Sequence, residues 1–439
     1  MSGAFSLMKK PIHVFWFRRD LRLNDNAALY HALNRGKPVL PIFIFDPEIL
    51  KELPEKDARV TFIYALLNQI NQKQEKQGSQ LLIKQGKPLS VFKDLIQEFE
   101  IAAVYTNRDY EPYAIQRDQE VKNFLESKHI IFHEFKDQVI FEKSEVSKQD
   151  GSPYTVYTPY SKIWLQKFKE KKIESYPSED HLDKLIKAET GPKLNLKDLG
   201  FKQSEITVPG FDISKNLIEN YSKTRDVPST EGTSHLGPYL RFGTVSIREL
   251  ARKAANFEET FLKELIWREF FMQILYHFPH VVDQSFKPAY DKIEWLKDET
   301  QFKKWCEGKT GYPMVDAGMR QLNQTGYMHN RVRMVVASFL CKHLLIDWRW
   351  GEAYFAEKLL DFELSSNNGN WQWAAGTGCD AAPYFRVFNP ASQQEKFDPD
   401  WIYIKKWVPE FGTHQYPEPI VDHKFARERA IKTYKQALS

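Results

Sequence analysis

The chain has 439 residues, of which 42% are hydrophobic and 27% charged, with a net charge of +4. That length exceeds one ordinary core and points to two or three domains, and the balance is that of a globular protein, not a disordered or collagen-like one. No apolar run approaches a membrane span, and Cys306, Cys341 and Cys379 lie too far apart for a CxxC zinc site or a disulfide framework. No metal is expected. The N-terminus lacks an apolar signal core, so a cytoplasmic protein is expected, with MSGAFSL as an extension ahead of a start at Met8.

Residues 11–140 alternate between two periods. HVFWF (13–17), VLPIFIF (39–45), QLLIKQ, IAAVYTN and IIFHEF read as strands. Asp25 is placed as the cap of a helix over 26–34 that Gly36 ends, and DARVTFIYALLNQINQKQEKQG is an amphipathic helix ending at Gly78. PLSVFKDLIQEFE and YAIQRDQEVKNFLESK complete the alternation. Strand–helix repeats with short loops predict an α/β domain over 10–140, a doubly wound parallel sheet of five strands. No GxGxxG follows the first strand, which argues against a dinucleotide in the usual phosphate loop.

Residues 141–200, rich in Lys, Ser and Pro, read as a long connector with small helical pieces, anchored by PYTVYTPYSKIW (153–164). From 201 to 439 the pattern is all-α. Nine of the eleven Trp fall between Trp267 and Trp407, and FLKELIWREFFMQILYHF (261–278) is apolar nearly all round, as a helix buried in a large bundle is.

Several groups in this half could carry chemistry. Thr233 and Ser234 precede a helical stretch with Pro238 near its start, which suits either an ordinary cap or a phosphate. Glu264 and Trp267 share a helical face, as an ion pair with Arg268 beside a packed indole or as a recognition surface for a planar polar ligand. Asn330 and Met334 also share a face, and Asp361 is a candidate partner for Arg333 or for ligand hydroxyls. Asn367 offers a donor and an acceptor to a heteroatom ring. Trp295, Trp348, Trp371 and Trp373 are either core filler or a row of oxidisable indoles. GKT (308–310) lacks the upstream glycine and strand of a phosphate loop.

WFRRDLRLNDN, EGTSHLGPYLRFG, ELIWREFF, GKTGYPMVDAGMRQLNQTGYMHNRVRM, NNGNWQWAAGTGCDAAPYFRVFNP and EKFDPDWIYIKKWVPE, in this order over nearly the whole chain, resemble the photolyase/cryptochrome family, and within it the class I cyclobutane pyrimidine dimer photolyases. The resemblance implies an N-terminal α/β antenna domain and a helical domain that binds FAD and acts on ultraviolet-damaged DNA in light. It assigns Tyr221, Thr233, Ser234, His235, Leu236, Gly237, Phe261, Arg333, Asp361, Phe362, Glu363 and Asn367 to FAD, with Asn367 beside the flavin N5. It assigns Trp371, Trp348 and Trp295 to an electron-transfer row from flavin to surface. Glu264, Trp267, Asn330 and Met334 match the dimer pocket, and Arg225, Arg331 and Arg386, with Trp373, match DNA-contacting positions. Together with Asn367, Glu264 and Met334 separate repair enzymes from the alternative, a cryptochrome-like photoreceptor without repair.

Three departures stand out. Asn370 replaces a glycine of the family's NNGGWQW, Glu363 replaces a common Asp, and Ala114 stands where folate-binding relatives carry Glu. The last weakens methenyltetrahydrofolate as an antenna and leaves a deazaflavin, a second flavin or an empty antenna site. A monomer, associated with the nucleoid through DNA, is the expected form.

Overall fold

The structure is a computed structural model that describes residues 10–187 and 194–439. The expected extension MSGAFSL and the start at Met8 lie outside the described residues.

Five strands form one parallel sheet: β1 (Ile12–Phe17), β2 (Val39–Phe45), β3 (Leu82–Gln85), β4 (Ile101–Asn107) and β5 (Ile131–Phe135), in the order β3-β2-β1-β4-β5. Alternate side chains of β1 enter opposite faces: Phe15 and Phe17 join one apolar cluster, while Ile12, Val14 and Trp16 join the other. Burial on both faces explains why these strands read as continuous apolar runs. Helices Ala27–Leu33, Ala58–Glu75, Pro88–Glu98 and Pro112–Ser127 fill the crossovers.

The cap expected at Asp25 belongs to its neighbour: Asn26 accepts from Leu29 N, and Asp25 sits at φ 42°. Its carboxylate is drawn off by the Tyr176 amide (2.7 Å), by Ser246 and by Arg248. Asp137 lies between Arg22 (2.6 Å) and Arg248 (2.9 Å), all three buried. Burial opposes its charge, but the two guanidiniums hold the Asp137 carboxyl below its usual range.

The chain divides into two compact units, whose bounds differ from the expected 10–140, 141–200 and 201–439. The described residues of Met1–Glu142, Phe168–Val208 and Pro238–Arg252 form the α/β unit, and Lys143–Lys167, Pro209–Gly237 and Lys253–Ser439 form the helical one. The expected connector is thus shared between them. Its Tyr157–Glu170 helix buries Tyr157, Tyr160 and Trp164, and the Trp164 indole donates to Glu269 at 2.6 Å, which fixes 143–167 in the helical unit. Ile186 N donates to Val39 O beside β2 (2.9 Å), and Leu21 N donates to Phe242 O (2.9 Å), which ties the other two pieces to the sheet.

The helical unit is built round Glu259–His277, Pro313–Thr325, Asn330–Ser338, Trp348–Lys358 and Leu364–Ala375. Its core includes Trp305, Trp348 and Trp371. Gly351 lets Trp348–Lys358 approach the Trp371 ring: a Cβ there would stand 2.1 Å from Cη2.

Candidate functional site

Glu264 and Trp267 project from the apolar helix Glu259–His277, capped by Glu258 on the Phe261 amide (2.9 Å). Glu264 pairs with Arg225, not with Arg268, its alternative partner on the same helix. Burial lifts the Glu264 carboxyl above its usual range while Arg225 opposes the shift. The Arg225 guanidinium lies 5.5 Å above the Tyr221 ring, which meets Phe261 edge-on at 5.0 Å. Tyr157 stacks on Trp267 at 3.6 Å and 5°, so one indole face is already covered by protein. Next to Arg225, Asp226 accepts from Arg331 at 2.7 Å; Arg331 in turn reaches the Met334 sulfur (3.6 Å) and covers Phe397 (4.3 Å).

A second group centres on Arg333, which binds Asp361 through both nitrogens (3.1 and 2.9 Å). That geometry fixes a planar guanidinium–carboxylate fork. Tyr327 lies beside it, under Arg333 (5.7 Å), against His235 (4.7 Å) and within 3.2 Å of the Thr233 hydroxyl. The Ser234 carbonyl accepts from Asp212 N (3.0 Å) and Leu236 is buried. His329 caps Asn330–Ser338 by accepting from Arg331 N (3.2 Å). Burial, with Arg333 nearby, pushes His329 down to about 4, so it is neutral at pH 7, with its Nε2 buried and unbonded.

The third group lies on Leu364–Ala375. Asn367 donates from its amide nitrogen to the Glu352 carboxylate (2.8 Å) and carbonyl (3.0 Å), which leaves Oδ1, a pure acceptor, as its open atom. Burial raises Glu352 while the Asn367 bond opposes the shift. Glu363 precedes the helix and accepts from Ser366 (2.9 Å). Phe362 packs at the edge of the core that holds Trp371 and Trp348, both with buried, unbonded Nε1 atoms; Trp295 packs partly exposed against the same core. Asn370 has no left-handed backbone; it is an exposed helical residue whose amide donates to Ser366 O (2.8 Å).

Among the described residues, no hydrogen bond, ion pair or ring contact joins Asn330, Trp373 or Arg386 to these groups. Asn330 and Arg386 are exposed, with Arg386 over Phe388 (5.4 Å). Sequence reasoning missed Glu352, Tyr157, Asp226 and Tyr327, whose partners lie 15 to 110 positions away. Only Tyr157 left a trace, in the aromatic stretch 153–164.

The helical unit thus carries arginine–carboxylate pairs, stacked aromatic rings and buried polar atoms without a protein partner, groups of the kind with which a ligand-binding protein holds a planar ligand bearing phosphate. The model of the DNA photolyase family matches residues 13–178, and that of the FAD binding domain of DNA photolyase matches 261–415. The deoxyribodipyrimidine photo-lyase of Halobacterium salinarum is 38% identical, over 97% of this chain and 99% of its own. A class III photolyase from Agrobacterium tumefaciens superposes with a TM-score of 0.83 at 34% identity and 98% coverage of both chains. An archaeal photolyase from Sulfolobus tokodaii with two FAD molecules gives 0.82 at 36%, over 97% and 99%. The chain belongs to the DNA photolyase family.

The residues present fit FAD. His235 Nδ1 and Ser365 Oγ are buried without partners, and Asp361 closes on Gly237 so tightly that a Cβ there would lie 2.5 Å from Oδ2. The open Ser365 hydroxyl suits a phosphate or ribityl oxygen, the His235 Nδ1 acceptor suits a ribityl or ribose hydroxyl, and the Asn367 acceptor suits a ring N–H.

Proposed function

We propose that this protein repairs cyclobutane pyrimidine dimers in DNA with light, as a deoxyribodipyrimidine photo-lyase. The observation that carries the reading is Glu264, lifted by burial and steadied by Arg225, on the same helical face as Trp267, a half-buried indole held between aromatic rings of Tyr157 and Phe271.

Bound and reduced FAD supplies an electron to the dimer on excitation. The chain does the rest. Thr233, Ser234, His235, Leu236 and Gly237, with Tyr221, Phe261, Phe362 and Glu363, hold the cofactor; Arg333 and Asp361 fix its middle, and Asn367, oriented by Glu352, accepts a hydrogen bond from the flavin ring. Joined pyrimidines stack and pair poorly, so extruding them costs less than extruding an intact pair. Trp267, backed by Tyr157, offers them a stacking face, and Glu264 binds a base edge. Met334 and Asn330 line the pocket, and Arg225, Arg331, Arg386 and Trp373 contact the strand. Trp371, Trp348 and Trp295 carry electrons inward when the flavin is oxidised. The antenna site takes a deazaflavin or a second flavin or stays empty: Ala114 is buried and carries no carboxylate for a folate. The protein acts as a monomer in the cytoplasm, on the nucleoid.

Purified protein should release flavin on denaturation and bind dimer-containing oligonucleotide in preference to undamaged strand. A colourless protein, or equal binding to both, contradicts the proposal.

A further inference from the structure

Lys342 is a buried charge that the proposed reaction leaves unused. It sits on the π-helical turn Phe339–His343. Its Nζ donates to Ala375 O (2.7 Å) and Tyr384 O (3.3 Å) and stands 3.6 Å from the centre of the Tyr434 ring. Two carbonyls and a ring face match the three N–H donors of an ammonium and leave nothing to donate to an amine lone pair. Burial pushes its pKa down to about 7.

Tyr434 is also buried, and its ring meets Trp295 edge-on at 5.8 Å. Tyr384 and Tyr290 lie beyond it at 6.0 and 6.2 Å. Aromatic contact therefore continues from Trp295 to the buried Tyr434 and on to two partly buried tyrosines. An oxidised Trp295 has a tyrosine within reach, yet two features oppose the hop. The ammonium over the ring disfavours positive charge on Tyr434. Its phenol proton is donated to Ala375 O (2.7 Å), a carbonyl that cannot take the proton away. Asp347 and the Cys341 thiol are the other ionisable groups acting on Tyr434 besides Tyr290, and Asp347 is engaged by Arg349 (3.2 Å).

We propose that Lys342 is a positioning residue that ends the electron row at Trp295 by keeping Tyr434 reduced, an inference that rests on the tryptophan row of the proposed function. The redox balance is one electron at each stage. Trp371 gives one to the photo-excited oxidised flavin, Trp348 restores Trp371, and Trp295 restores Trp348 and loses its indole proton to water at its exposed edge. Replacing Lys342 by Ala removes the cation and leaves a polar space where water can bind Ala375 O and Tyr384 O. Tyr434 then gives an electron to Trp295, which regains its indole proton from water at its exposed edge, and the phenol proton passes to the water bound at Ala375 O.

The test is electron paramagnetic resonance with transient absorption on flavin-loaded protein, illuminated at pH 6. Wild type should end in a tryptophan radical alone, and Tyr434→Phe should match it. Lys342→Ala should raise the Tyr434-to-Trp295 radical ratio by roughly thirtyfold, Lys342→Arg should restore the wild-type signal, and Tyr434→Phe added to Lys342→Ala should remove the tyrosyl. A wild-type tyrosyl that Tyr434→Phe abolishes overturns the proposal, whether or not the alanine variant folds; so does a folded Lys342→Ala that shows only tryptophan. Trp348→Phe separates the two levels: if it leaves radical formation intact, the row itself is wrong and not merely its end.

Discussion

The two units differ in where buried charge and buried open polar atoms fall. In the α/β unit, buried charge meets charge: Arg22, Asp25, Asp137 and Arg248 pair within a few ångströms, and the open polar atoms include Arg22 Nε and the neutral side chains of Gln74 and Ser79. In the helical unit, His235 Nδ1, His329 Nε2, Ser365 Oγ and the Trp348 and Trp371 indole nitrogens are buried without partners. Paired buried charges specify a fold, and open buried polar atoms cost stability unless something binds them. The paired charges mark scaffold, and the open atoms beside the Arg333–Asp361 pair and the indoles belong to the candidate site.

The largest expected effect lies in the scaffold. Asp137→Ala leaves Arg22 and Arg248 short of a counter-charge and should cost about 3 kcal/mol by denaturant melts, with the flavin spectrum of the folded fraction unchanged. The Asp137 carboxyl titrates below its unfolded value of about 3.9, so its contribution is complete above that value and lost as pH falls below it. Wild type and Asp137→Asn should therefore converge in stability in acid. Asp361→Ala should act on the site instead, stranding Arg333 and releasing flavin; a variant that melted early yet kept its flavin would erase the contrast. Glu264→Ala should weaken binding of a dimer-containing oligonucleotide by roughly tenfold to a hundredfold, read by fluorescence titration. Arg331→Ala should weaken DNA binding on all sequences alike and reduce the salt slope by about 1. Smallest is Asn370→Gly, expected to cost about 0.5 kcal/mol of helix propensity and leave the flavin spectrum intact.

The same contrast explains what the sequence made legible. Strand and helix periods exposed the sheet because burial on both faces forces apolar runs, and β2 and β4 fall where VLPIFIF and IAAVYTN do. The connector was hidden because its lysines and prolines mask the aromatic face by which Tyr157–Glu170 enters the bundle. Asp25 and Asn26 are both good caps, and only the distant Ser246 and Arg248 decide between them. Motif residues such as Arg333 and Asp361 could be paired in advance, whereas Glu352, which aims Asn367, lies four residues past Trp348 in a helix whose packing partner no local pattern names. Asn370, which replaces a family glycine, is an ordinary helical residue facing solvent.

The most direct measurement mixes anaerobic protein carrying reduced flavin with an oligonucleotide containing thymine dimers and follows thymine absorbance under blue or near-ultraviolet light. Recovery of absorbance in light and none in darkness is the predicted result. Protein that binds flavin and the damaged strand yet gives no light-dependent recovery would contradict a repair function.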